Sequence, residues 1–129
     1  MAVTSQTLEQ GPRNVVMRFT NDGDAESAVV KVDVSALSPA CERVSILKCE
    51  YSTNNRGGAT PTGVAILWDA TTPELAIALP PNNSDCLDYS EMGGLQNTKA
   101  TGWTGDIKFT CGADDAYTIT LWMRKKSAS

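Results

Sequence analysis

An aspartate directly after a tryptophan, Trp68-Asp69, closes the apolar run that starts at Gly63. A carboxylate beside an indole is a pair that elsewhere binds a ring or moves a proton. A catalytic carboxylate, however, needs a partner group at a defined distance, and the neighbouring residues supply none. Val64, Ile66 and Trp68 share one face of a period-two pattern, so the indole is expected to anchor a core or a sheet edge. Asp69 then opens the turn Asp-Ala-Thr-Thr-Pro, where its side chain caps free backbone amides.

The stretch NNSDCLDYSEMGG carries Asp85, Asp88 and Glu91. Calcium loops of the EF-hand type need alternating oxygen ligands, a central glycine and a terminal glutamate in a fixed order. That order is absent, and a solvated loop is expected. Neither Gly57-Gly58 nor Gly93-Gly94 belongs to a G-x-x-x-x-G-K phosphate cradle, so both read as turns. Cys41, Cys49, Cys86 and Cys111 include no C-x-x-C pair, and the chain has no histidine, which argues against structural zinc. The missing imidazole also removes the commonest general base. No enzyme activity, metal or cofactor is expected. Cys49, Trp68 and Cys111 echo an immunoglobulin core, but Phe109 stands where that pattern has a tyrosine. Free, mostly buried thiols are expected instead, given the cytosolic synthesis inferred below.

The chain has 129 residues, a single-domain length, with 41% hydrophobic and 20% charged residues. Its net charge of −4 disfavours nucleic acid, whose binding depends on Lys and Arg neutralising phosphates. Arg124-Lys125-Lys126 reads as a solubilising end. No apolar run approaches the ~20 residues that cross a bilayer. The N-terminal residues lack the basic and apolar regions of a signal peptide, so synthesis in the cytosol is expected.

The elements that must position these residues are strands. Val15, Met17 and Phe19 alternate with Val16 and Arg18; Val30, Val32 and Val34 are expected to oppose Lys31 and Asp33. Val44 and Ile46 fall opposite Leu47, Cys49 and Tyr51. Leu75, Ile77 and Leu79 share a face, as do Ile107, Phe109 and Cys111, and later Tyr117, Ile119, Leu121 and Met123. Turn residues separate the runs. Single helical turns are expected at Ser35-Ala36-Leu37 and within Asp88 to Met92. Asn82 to Thr104 is expected as a long excursion over one end. The pattern predicts one all-β domain over residues 1–129: an antiparallel β-sandwich, jelly-roll-like or immunoglobulin-like, of seven to nine short strands.

Two features favour assembly. Residues 1–12 have the polar, weakly patterned composition of an extended N-terminal arm that orders against a partner. Trp103 lies in the glycine-flanked stretch ATGWTGD, where an aromatic acts as an interface anchor or folds over its own sheet edge. Trp103, Arg13 and Leu8 are the candidate interface residues.

The segments GPRNVVMRFTNDGDAESAVVKVDVSAL, ILWDATT, LDYSEMGGLQNT, TGDIKFT and YTITLWMRK run in order from Gly11 to Lys125. Together they resemble small virion structural proteins of tailed bacteriophages. The resemblance implies a β-sandwich and no catalytic residues. The cysteines and the connector STNNRGGATPTG depart from the pattern, so neither gains a role from it. A 129-residue all-β chain fits a head decoration or cement protein rather than the larger main shell subunit. The implied location is the virion, after synthesis in the host bacterial cytoplasm. The implied partners are the major capsid protein and further copies of the chain, as a trimer about a threefold axis, with no nucleic acid and no membrane. A tail, neck or fibre component is the alternative within the particle. A carbohydrate-binding sandwich using Trp103 is the alternative of another class.

Overall fold

In the computed structural model, residues 3–57 and 61–127 are described; Met1, Ala2 and Gly58 of the expected arm and turn lie outside them. Alternation reads directly into burial in β2 (Asn14–Asp22), where Val15, Met17 and Phe19 face inward and Arg18 outward. The same holds for β5 (Val64–Trp68) and β8 (Ile107–Cys111), and for β9 (Asp115–Lys126) except that Asp115, Ala116 and Thr120 are buried as well. In these strands successive side chains point to opposite faces, and one face meets the core.

The remaining strands are β1 (Val3–Gln10), β3 (Glu26–Val32), β4 (Arg43–Asn55), β6 (Glu74–Leu79) and β7 (Ser84–Asp88). One sheet has the order β1-β2-β9-β4-β7 and the other β3-β8-β5-β6, every pairing being antiparallel. The pairs β2–β9, β3–β8, β4–β7 and β5–β6 nest inside one another, as if a single long hairpin with its tip at β5–β6 were rolled up. That is the strand order of a jelly roll, with β1 added at one edge, and not the order of an immunoglobulin domain. Phe19, Phe109 and Tyr117 link the sheets through edge-to-face contacts, with ring centroids 5.1 and 5.7 Å apart.

The departures from simple alternation sit at bulges. In β3, Val30 is 45% exposed while Lys31 is buried, the reverse of the expected facing. Register shifts on both sides of Val29-Val30, with Ala28 at φ +48°, turn the strand over there. In β4 the shift between Ile46 and Lys48 leaves Leu47 as an extra residue. Val44, Ile46, Cys49 and Tyr51 therefore all reach the core. A bulge opposite Ile66-Leu67 pushes Leu75 out to solvent while Ile77 and Leu79 stay inside. The expected excursion over Asn82 to Thr104 is shorter than anticipated, because Ser84–Asp88 pairs with β4 as an edge strand. Short 3-10 turns occur at Val34–Ala36 and Ser90–Met92, near the expected single turns.

The rest of that excursion is pinned to the sandwich end. Gly105, at φ +87°, approaches the Glu42 carbonyl so closely that a Cβ there would collide with backbone. Leu95 exchanges backbone hydrogen bonds with Ile46, and Thr101 accepts from the Thr71 amide.

Candidate functional site

Trp68 is buried in the core. Asp69 accepts a 2.6 Å hydrogen bond from the Thr104 hydroxyl and pairs with Lys108 at 2.9 Å. Burial alone would raise its pKa, but the hydrogen bonds from Thr104 and Lys108 and the Lys108 charge outweigh it, so the carboxyl lies below its ordinary value. Asp69 thus ties the end of β5 to Thr104 in the loop before β8 and to Lys108 in β8, while Trp68 anchors the core. Asp88 accepts from the Ser90 amide (2.9 Å) and hydroxyl (2.6 Å), which lowers its pKa. Asp85 accepts from the Cys86 amide. No cluster of metal-ligating side chains occurs among the described residues. All four cysteines are free: Cys49 and Cys111 buried, Cys41 half-buried and Cys86 exposed. Burial, with a smaller contribution from Cys86, pushes the Cys49 thiol up to about 12.

The expected interface residues occupy separate places. Leu8 is exposed in β1, at a bulge between Thr7 and Glu9. Arg13 is exposed in the β1–β2 turn, where its carbonyl accepts from the Lys125 amide at 2.7 Å. Trp103 is half-buried in the loop before β8, its amide bonded to the Ala100 carbonyl and the Lys99 ammonium 6.0 Å from its ring centroid. Among the described residues no hydrogen bond, ion pair or ring contact joins Trp103 to Leu8 or Arg13.

Of residues 1–12, expected as an N-terminal arm, Val3–Gln10 form β1, and every one of its eight residues is exposed. The four-stranded sheet does not reach over it. β1 is held by its ladder to β2, by the Thr4 and Thr20 hydroxyls, and by Gln10, which accepts from the Ser38 amide at 2.7 Å. Its other edge has no partner strand among the described residues, and Glu9 is its one charged residue. Beside it, the outer face of the five-stranded sheet is lined by hydroxyls, amides and charges. Two open depressions of about 370 and 600 Å³ meet there at Ser52 and Thr118.

A second cluster, which sequence reasoning missed, lies between the sheets. Glu26 and Lys31 form an ion pair with side chains only 5% and 4% exposed. Glu26 Oε1 also accepts from the Tyr117 hydroxyl at 2.6 Å and from Asn21 Nδ2 at 3.1 Å. Burial first, then the Glu26 carboxylate, push the Tyr117 phenol far up, so it remains a donor. Asn21 Oδ1 accepts from the amides of Gly23 (2.8 Å) and Asp24 (2.7 Å). The bulged β3 defeated the period-two reading, which had placed Lys31 on the outer face. A glutamate and a lysine five positions apart in one strand were the available signal.

No family model matches this chain, and no curated protein matches it either.

Proposed function

We propose that this protein is a structural component of a tailed-phage virion, a decoration or cement protein that binds the outer shell of the head. The sequence resemblance motivates the reading, and the observation that carries it is β1. A long strand exposed on both faces, with a single charge and one edge unpaired among the described residues, is a template for pairing with another chain. A rigid sandwich that presents such an edge suits a part whose work is gripping neighbours. The proposed partners are the major capsid protein and further copies of this chain, arranged as a trimer. Binding across subunits that are adjacent only in the assembled shell stabilises that shell, and several weak contacts add through effective concentration.

The test is a particle reconstruction combined with rupture of heads on heating. This reading requires density for the chain in many copies on the head and a lower rupture temperature in heads lacking it. Deleting residues 3–10 should leave a folded sandwich that no longer loads onto heads. Few copies at the tail or neck, with unchanged head rupture, would overturn the assignment. A sugar stacking on Trp103 would have to compete with Lys99 for the ring.

A further inference from the structure

We propose that Lys31 and Asn21 become joined by an amide bond, with Glu26 as the catalytic proton carrier, so that β3 is covalently tied to the end of β2. The inference is independent of any role in a virion. It rests on three buried side chains that meet at one carboxylate. The Lys31 ammonium lies on Glu26 Oε2, and the Asn21 amide nitrogen lies 3.1 Å from Oε1. Nucleophile and leaving group thus occupy the two oxygens of the same general base.

The surroundings suit the reaction. Glu26 is the one hydrogen-bonding partner of the Lys31 ammonium among the described residues, which leaves a buried cation short of acceptors. Tyr117, whose hydroxyl bonds Glu26, packs edge to face on Phe109, which packs in turn on Phe19. The Asn21 carbonyl oxygen already accepts two backbone N–H bonds, from Gly23 and Asp24. Such a pair of donors holds the negative charge that develops on oxygen during attack at a carboxamide carbon. The Tyr117 hydroxyl fixes Glu26 from the other side. Asn21 is held at both ends of its amide, so the flexible lysine end does the moving. It must close on Asn21 Cγ to about 3–3.5 Å.

The atoms balance without an oxidant or a co-reactant. Lys31 gives one proton to Glu26 and becomes a neutral amine. Its lone pair attacks Asn21 Cγ, and the charge passes to Oδ1. The Cγ–Nδ2 bond breaks as Glu26 returns the proton to the departing nitrogen, which leaves as ammonia. Glu26 then takes the remaining proton from the new amide nitrogen and ends as the neutral acid. A buried ion pair is replaced by an amide and an uncharged carboxyl, which relieves its desolvation cost.

The experiment is intact-mass measurement of the folded, purified full chain, followed by trypsin digestion. The expected result is a protein lighter than its sequence by one ammonia. Trypsin should fail to cut after Lys31, leaving one looped peptide from Phe19 to Arg43 that carries the missing mass. Glu26→Gln should restore the full mass and the cut after Lys31. A cyclic imide at Asn21 would also lose ammonia but would leave Lys31 cleavable, and that result overturns the proposal. So does the full sequence mass in the folded wild-type protein. Where Glu26→Gln fails to fold, the wild-type peptide alone decides.

Discussion

Glu26 and Asp69 each hold a lysine, yet the two pairs live in different media. Lys31 and Glu26 lie between the sheets with side chains 4% and 5% exposed, whereas Lys108 and Asp69 sit at the sandwich end with 22% and 14% exposed. Both charges of the inner pair have left water, so each depends on the other. Water and the Thr104 hydroxyl share the work at Asp69. A third pair, Arg56–Asp22, is about half exposed on both sides and marks the solvated limit. Similar charges therefore range from indispensable partners to near-ornaments according to the solvent around them.

The comparison breaks most visibly at Glu26. Glu26→Ala should destabilise the fold by about 3–5 kcal/mol, since it leaves Lys31 as an uncompensated buried charge. Urea unfolding measures this, and Glu26→Leu combined with Lys31→Met should recover the part of the loss that comes from the unpaired charge. A single-variant cost no larger than that at Arg56 would dissolve the distinction. At the middle position, Asp69→Ala removes two charge-assisted bonds and should cost about 1–2 kcal/mol.

Acid sharpens the same contrast. The pKa of Asp69 is lowered, and so is that of Asp115, where bonds from Thr62, Asn55 and Gly112 outweigh the opposing effect of burial. A depressed carboxyl gives stability that is complete above its unfolded pKa and disappears as pH falls through the folded one. The urea midpoint should therefore drop between roughly pH 5 and pH 2. Asp69→Asn should flatten that drop, and an unchanged slope would count against the Lys108 pairing. Asp106 works in the opposite sense, because burial raises its pKa and protonation relieves it. The smallest effect belongs to Arg56→Ala, within about 1 kcal/mol and reduced further by added salt.

Much of the sandwich is readable in the sequence alone. Val15, Met17 and Phe19, or Tyr117, Ile119, Leu121 and Met123, face the core as their spacing required. Trp68 went inside as its place in the alternation required, whereas the Asp69 carboxylate, expected to cap backbone amides, mainly holds the side chains of Thr104 and Lys108. The candidate surface was legible only in part: residues 1–12 read as an extended arm, and the pairing of Val3–Gln10 with β2 was not foreseen. The inner cluster was missed because reading β3 as unbroken alternation placed Lys31 outside.

What the sequence settled alone is the inward and outward alternation of its strands, since side-chain direction along an extended backbone is a local property with period two. Which strands pair, where an extra residue bulges, and which polar groups meet inside were decided only by the assembled sheets. A bulge exists relative to a partner strand. The meeting of Asn21, Glu26 and Lys31 required β3 to turn over beneath Tyr117, which comes from the far end of the chain.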